Sequence, residues 1–311
     1  MIVRWGIGEL PALAGARPLV VASPRWRGVF TAINRWEEVP SDRIDVPDGI
    51  DTIVAIGGGS AIDTAKAASA AAGLPLVSVP TTYSGAEWTS FFGVRDPDRR
   101  MKGGGSGANL YAVVYEPELT LELPVPETVG TSLNALAHCA EALYVPQRTE
   151  QTDKDALAGA ALIGEWLPRV VTEPSGLHAR EQLLRGACHA GAALGGSMLA
   201  LGHALAQALG GRYGAPHGAL NALTLPPALR FNAPVAADAI SRFGAALGTD
   251  DPPARVEELA RLGGYERLRD LGIPEEAPNE VAEAVAARAG AKVNPRPVTP
   301  ADAKELIRSI W

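Results

Sequence analysis

Apolar residues in the first part of the chain fall in short runs that polar or glycine-rich segments separate. These runs are rich in β-branched residues and comprise residues 19–23, 51–56, 76–80 and 112–115. Short, wholly apolar runs are typical of strands that are buried on both faces of a sheet. Helical segments are predicted between them, at 28–36 and from the glycines after residue 56 to about residue 72. Alternating strands and helices predict a parallel α/β sheet.

The pattern changes after residue 131, where alanine and leucine recur at helical spacing and no segment resembles a strand. The predicted helices are residues 131–144, 152–166, 179–194, 197–209, 233–247, 255–270, 280–289 and 300–310. We therefore predict a Rossmann-like dinucleotide-binding domain over residues 1–125, followed by an all-α domain over residues 126–311. Between the last two predicted strands, residues 101–107 contain four glycines and are predicted to form a mobile loop.

Three glycines, Gly57, Gly58 and Gly59, connect the second predicted strand to the helix that follows it. Without a Cβ, the backbone can turn sharply and approach a ligand closely. Ser60 is predicted to cap the helix, with Asp63 completing the capped first turn. The N–H groups and dipole of such a helix end attract phosphate. A tight turn without a ligand is the alternative, but the strand, the cap and the helix together favour a pyrophosphate site.

Composition and charge exclude several classes of protein. The chain has 311 residues, 47% of them hydrophobic, and a net charge of −7. Because no basic block stands out, a nucleic-acid partner is not expected. No apolar run approaches the roughly 20 residues that span a bilayer, and the first residues lack the pattern of a signal peptide. The two cysteines lie in apolar helical segments, which fits a reducing cytoplasm.

Histidines supply a second group of candidate residues. Asn134 and His138 are four residues apart and therefore share one helix face, His203 lies on a later predicted helix, and His217 follows a glycine pair in a predicted turn. Side chains from these places could converge on a metal with four ligands. Taken singly, each is more often an ordinary polar residue. His178 and His189 carry no further signal.

Six stretches of the chain carry a family resemblance. They are residues 57–66, 80–87, 115–119, 134–138, 215–218 and 294–297, reading GGGSAIDTAK, PTTYSGAE, YEPEL, NALAH, APHG and NPRP. In this order they resemble the iron-containing alcohol dehydrogenase superfamily, and the helix with Asn134 and His138 and the segment around residues 294–297 are closest to the maleylacetate reductase branch.

This resemblance implies a dehydroquinate-synthase-like fold and an NAD(P)-dependent dehydrogenase with its cofactor in the interdomain cleft. The cofactor, NAD(H) or NADP(H), would be held by residues of the glycine turn and of two neighbouring strand ends. Those residues are Gly57, Gly58, Gly59, Ser60, Asp63, Thr81, Thr82 and Ser23. A metal, Zn²⁺ or Fe²⁺, would be held by Asn134, His138, His203 and His217, and the three histidines are also the predicted catalytic residues.

Three departures from the family pattern leave alternatives open. Asn134 stands where metal-dependent members have aspartate, Gln207 stands where many have a further histidine, and the amino-terminal domain is shorter than usual. Losing the aspartate charge weakens the attraction for a dication. Without metal, the histidines would bind the substrate oxygen and pass its proton. Maleylacetate-reductase-like members keep similar histidines without depending on metal.

The expected reaction interconverts a hydroxyl and a carbonyl group by hydride transfer. The expected substrate is a small hydroxy acid or a peptide C-terminus, and a β-keto acid product would lose CO₂ readily. A homodimer is expected. Two other classes stay open, namely a lyase or cyclase that uses NAD transiently, as dehydroquinate synthase does, and a nucleotide-binding relative without activity.

Overall fold

The computed structural model describes residues 1–98 and 101–311, and it divides into two units. The first comprises Met1–Thr82 and Ala86–Glu122, and the second comprises Tyr83–Gly85 and Leu123–Trp311. Within the described residues, the helices all lack the combination of length and apolar character that crossing a bilayer requires.

Unit 1 is built on a six-stranded sheet in the order β1-β8-β5-β4-β2-β3, in which all neighbours are parallel. A separate antiparallel pair, β6 and β7, completes the strands. The strands are β1 (Ile2–Trp5), β2 (Pro18–Val21), β3 (Asn34–Trp36), β4 (Thr52–Gly57), β5 (Pro75–Pro80), β6 (Phe92–Arg95), β7 (Met101–Gly105) and β8 (Asn109–Tyr115), and the helices are α1 (Leu10–Leu13) and α2 (Gly59–Ala72).

Alternate residues of the central strands pack on opposite faces of the sheet. Val54 and Val77 belong to one apolar cluster, whereas Ile53 and Leu76 belong to the other, which also contains Ile62 of α2. Burial on both faces explains why these strands are mainly apolar. The predicted parallel α/β class is therefore confirmed, and the apolar runs predicted its central strands.

Two predictions for unit 1 are wrong. The predicted helix at residues 28–36 ends in β3, an edge strand that pairs with β2. The predicted mobile loop at 101–107 contains β7, which pairs with β6. Glycine disfavours strands, but here the cross-strand hydrogen bonds are made and the ring of Phe92 packs over Gly105, where a Cβ would lie 2.8 Å from it.

Unit 2 is helical, which confirms the second half of the predicted class. Its helices are α3 (Val125–Ala142), α4 (Glu150–Thr172), α5 (Leu177–Gly195), α6 (Leu201–Tyr213), α7 (His217–Asn232), α8 (Ala237–Ala246), α9 (Pro252–Arg261), α10 (Ala277–Ala287), α11 (Ala289–Lys292) and α12 (Pro300–Ser309). The predicted helix at 255–270 ends earlier, at Arg261, and is followed by a short 3₁₀ turn at Leu268–Leu271.

Helix α7 lies where no helix was predicted. Proline normally interrupts a helix, yet Pro226 and Pro227 both lie inside α7 and are buried. Packing around most of the helix overrides the local cost of the prolines. At the start of α7, Gly218 packs directly against Gly130 of α3. A Cβ on Gly218 would lie only 2.5 Å from the carbonyl carbon of Gly130. These two glycines allow the backbones of α3 and α7 to approach closely.

Candidate active site

The glycine turn of unit 1 leads from a strand into a helix, as its sequence predicts, but no side chain caps that helix. Gly57 ends β4 with φ at +150°, a conformation that favours glycine. Gly58 precedes α2 as its N-cap residue, and no side chain caps the helix there. The uncapped N–H groups of the first turn of α2 therefore suit an anionic group.

Two threonines close the other side of this turn. The backbone N–H of Thr81 donates to the carbonyl oxygen of Gly57 at 3.0 Å. A Cβ on Gly58 would lie 2.9 Å from Cγ2 of Thr82, so glycine is required for this packing even before a ligand is considered. The structure thus places both threonines beside the turn, where the resemblance assigns them to the cofactor.

Ser60 and Asp63 do not form the predicted cap. The helix begins at Gly59, so Ser60 is its second residue. The Oδ2 atom of Asp63 accepts a hydrogen bond from the N–H of Gly93 at 3.2 Å, and its Oδ1 lies 3.6 Å from Nζ of Lys66. Burial raises the pKa of Asp63, and the positive charge of Lys66 opposes that shift. Asp63 thus links α2 to β6, and direct contact with the cofactor stays a prediction.

Ser23 and Arg25 follow the carboxyl end of β2. Ser23 precedes the 3₁₀ turn Pro24–Trp26 and its side chain makes no cap bond there. The guanidinium of Arg25 lies 4.3 Å from the ring centre of Trp26 and 3.7 Å from Oε2 of Glu122. Both members of this ion pair are exposed, and exposed pairs of this kind contribute little to stability. Arg25 can therefore turn toward an anionic ligand at little cost.

We expect Arg25 to make the enzyme tolerant of NADP(H). An acidic residue that would repel the 2′-phosphate is missing directly after β2, and a guanidinium binds phosphate well. The Arg25→Ala variant should bind NADPH about 10-fold more weakly in a fluorescence titration, a change of about 1.4 kcal/mol, while its NADH affinity is unchanged. Arg4→Ala provides an exposed-arginine control. Strong preference for NADH that Arg25→Ala leaves unaltered would refute this role.

The four predicted residues of unit 2 come together at one place. Asn134 and His138 lie on α3, His203 on α6 and His217 on α7. The rings of His138 and His203 stack with their centres 4.8 Å apart, and the ring centres of His203 and His217 are 5.8 Å apart. We call these four residues the histidine cluster. His217 was predicted to lie in a turn, but it is the first residue of α7 and is exposed.

The side chain of Asn134 contacts three polar groups around it. Its Nδ2 donates to the carbonyl oxygen of Ser84 at 2.8 Å. Its Oδ1 accepts from Nδ2 of Asn221 at 2.7 Å and lies 3.2 Å from Nε2 of His203. Both ends of the Asn134 amide are therefore used inside the protein.

Two residues of this site were not predicted from the sequence. Oε2 of Glu141 lies 2.7 Å from Nδ1 of His203, and Nδ2 of Asn221 lies 3.0 Å from Nε2 of His217. Helical spacing held a signal for both, because Glu141 is seven residues after Asn134 and Asn221 is four after His217. The remaining histidines lie elsewhere, since His178 packs against Trp166 and His189 contacts Asp155.

His138 is electrostatically distinct. Its Nδ1 atom is buried and makes no hydrogen bond within the described chain. Burial lowers the pKa of His138 well below its usual range, and His203 and His217 lower it further. The ring is therefore neutral at neutral pH, with one unpaired nitrogen that can bind a polar ligand group.

The cluster as it stands does not fit a divalent metal ion. Across residues 1–98 and 101–311, no group of three or more His, Cys, Asp and Glu side chains is arranged to hold one. Oδ1 of Asn134 already faces two nitrogens, Nε2 of His203 and Nδ2 of Asn221, and Nε2 is the nitrogen of His203 that would bind an ion, since its Nδ1 contacts Glu141. Since metal ligands need a lone pair directed at the ion, these atoms are committed to each other.

Comparisons with known proteins identify two family models and several relatives that are similar to this chain. Residues 128–311 match the model for the carboxyl-terminal domain of the Fe-containing alcohol dehydrogenase family, and residues 46–116 match the iron-containing alcohol dehydrogenase model. The chain is 42% identical to a maleylacetate reductase of Pseudomonas knackmussii over 72% of its own length and 64% of that enzyme's length. It is 32% identical to one from Pseudomonas sp. strain P51, over 97% of this chain and 91% of the relative.

Solved structures show the same fold. The maleylacetate reductase from Agrobacterium tumefaciens is 26% identical with a TM-score of 0.87, covering 100% of this chain and 95% of that one. The iron-containing alcohol dehydrogenase from Corynebacterium glutamicum is 30% identical with a TM-score of 0.87, covering 100% and 94%.

Proposed function

The chain belongs to the iron-containing alcohol dehydrogenase family, and on that premise we propose that it is an NAD(P)-dependent oxidoreductase. The proposed reaction interconverts a hydroxyl and a carbonyl group. The observation that carries the proposal is the histidine cluster, which gathers Asn134, His138, His203 and His217 from three helices of unit 2.

The glycine turn fits the cofactor. The uncapped end of α2 would hold the pyrophosphate through backbone N–H groups, and the absence of a Cβ at Gly58 leaves the turn open to close approach. Thr81 and Thr82 would border the same ligand. When bound, the nicotinamide supplies the hydride for carbonyl reduction or accepts it in the opposite direction.

We propose that two histidines of the cluster, His138 and His217, contact the substrate. His203 has both ring nitrogens occupied by Glu141 and Asn134, so it supports the cluster and does not bind the substrate. His138 offers a buried, unpaired Nδ1, and His217 is exposed at the start of α7. In carbonyl reduction, one of these imidazoles donates a proton to the substrate oxygen as the hydride reaches carbon. In alcohol oxidation it takes the hydroxyl proton.

A reductase assay tests this proposal directly. The purified chain is incubated with NADH or NADPH and a panel of oxo acids that includes maleylacetate, and the absorbance of the reduced nicotinamide is followed. We expect one reduced nicotinamide to be consumed per carbonyl reduced, and we expect exhaustive chelation to leave the rate unchanged. A product formed with no net change in reduced nicotinamide would favour a dehydroquinate-synthase-like reaction. Activity that chelation abolishes and Zn²⁺ or Fe²⁺ restores would contradict the hydrogen-bonding role of the histidines.

For the substrate we propose a hydroxy acid, with a peptide that ends in a β-hydroxy residue as the larger variant. Removing hydride from carbon and the proton from oxygen would give a β-keto acid. The bond to the carboxylate would then break, CO₂ would leave, and the electron pair would form an enolate that takes a proton. All five residues of β7 are exposed and three of them are glycine, and we propose this strand as the surface of unit 1 that would border a bulky substrate.

A further inference from the structure

The hydrogen-bond partners in the histidine cluster determine which side-chain atoms donate and which accept. The carbonyl oxygen of Ser84 can only accept, so Nδ2 of Asn134 must face it, and Oδ1 must then face His203. Because an amide oxygen is also only an acceptor, Nε2 of His203 must carry a proton and donate it. The orientation of Asn134 thus fixes one side of the His203 ring.

Glu141 contacts the other nitrogen of the His203 ring, Nδ1. Its Oε1 accepts from the backbone N–H of His203 at 3.1 Å, and its Oε2 accepts from the N–H of Ala200 at 2.7 Å. The same Oε2 lies 2.7 Å from Nδ1 of His203, and Glu141 and His203 are 0% and 1% exposed. A charge this deeply buried is costly unless it is paired, so Glu141 and His203 must act as a unit.

Asn221 connects His203 to His217. Its Nδ2 faces two oxygens, Oδ1 of Asn134 at 2.7 Å and the carbonyl oxygen of His217 at 3.2 Å, and this excludes the flipped amide. The same Nδ2 lies 3.0 Å from Nε2 of His217, so one of its two N–H groups points to Asn134 and the other is shared between the carbonyl oxygen and Nε2 of His217. Nε2 of His217 therefore accepts, and the ring proton of neutral His217 lies on Nδ1.

We propose that Asn221 and Glu141 are positioning residues that organise the histidine cluster by hydrogen bonds instead of by a metal ion. Glu141 holds His203, His203 and Asn221 together hold Asn134, and Asn221 selects the tautomer of His217. This inference rests on the proposed function, in which His217 exchanges a proton with the substrate. Removing the hydrogen-bond partners of metal-ligating histidines typically changes activity by about 10–100-fold, and we expect an effect of the same order here.

The first test determines the tautomer of His217 by NMR. This measurement does not require the substrate to be known. Histidine ring nitrogens are ¹⁵N-labelled, and their NMR shifts are recorded above the pH at which free histidine titrates. We expect the Nδ1–H form of His217 in the native chain and a shift toward the usual Nε2–H form in Asn221→Ala. Asn232→Ala is the matched control, because Asn232 is a buried asparagine on the same helix that pairs with Asn294. An unchanged His217 tautomer in Asn221→Ala would overturn the proposal.

The second test measures metal binding and activity. Titration of the native chain with Zn²⁺ in a calorimeter should show no binding that depends on His203, and binding that His203→Ala removes would overturn the metal-free organisation. If the reductase assay succeeds, Asn221→Ala should lower kcat about 10–100-fold and leave the KM for NAD(P)H unchanged. If the assay fails while the tautomer result holds, the proposed function falls and the positioning role stands. Glu141→Gln should lower kcat similarly, provided that thermal unfolding shows it to be folded.

Discussion

Removing the imidazole of His217 is expected to lower kcat by about 100-fold, which is the usual contribution of a positioned acid or base. His217 is the exposed member of the histidine cluster, and its ring centre lies 5.8 Å from that of His203. Its backbone begins α7, so truncation to alanine removes the ring and leaves the helix start intact. Steady-state kinetics at saturating cofactor measure the effect. The KM for NAD(P)H should not change, since the proposed pyrophosphate contacts are backbone N–H groups at the start of α2.

His178→Ala is the matched control, because His178 is also exposed but packs against Trp166 outside the cluster. His138→Ala should slow turnover as His217→Ala does, since His138 presents the unpaired Nδ1. Full activity in both His138→Ala and His217→Ala would make these residues ordinary polar residues and would remove the proposed chemistry from this cluster.

The sequence predicts the strands that are buried on both sides and misses those at the edges. Residues 51–56 and 76–80 are mainly apolar, and they became the central strands β4 and β5. The edge strands β1 and β3 are only four and three residues long, contain Arg4 and Arg35 and are partly buried or exposed, so the strand signal in their sequence is weak. Their hydrogen bonds to β8 and β2 decide their conformation, and those bonds depend on residues far away in the chain.

The candidate site shows the same limit. The spacing of Asn134 and His138, together with the family resemblance, predicted four residues that the structure gathers in one cluster. Glu141 was missed because a glutamate on a helix is normally exposed. Glu141 can be buried because its carboxylate accepts hydrogen bonds from the backbone N–H groups of Ala200 and His203 at the start of α6. Local sequence could not supply that contact.

Adding a side chain at Gly58 is the second large effect that we expect. Gly58→Val should bind NAD(H) at least about 10-fold more weakly, a loss of about 1.4 kcal/mol, because a Cβ would stand where the pyrophosphate approaches the turn. Calorimetric titration with NADH measures the loss, and thermal unfolding shows whether the fold survives. Gly211→Ala is the control, because Gly211 is exposed inside α6 and the substitution should leave NADH affinity unchanged. Gly73→Ala is unsuitable, because the φ of +68° at Gly73 would strain an alanine.

The structure gives a second reason why a Cβ at Gly58 could weaken binding, and a double variant separates the two. That Cβ would lie 2.9 Å from Cγ2 of Thr82, so Thr82 must move even when no cofactor is bound. Thr82→Ala removes this clash. If Gly58→Ala still weakens NADH binding in the Thr82→Ala background, the Cβ acts on the pyrophosphate directly. If the loss disappears there, the turn positions Thr82, and the pyrophosphate assignment at Gly58 must be abandoned, because a Cβ would then be tolerated beside the cofactor.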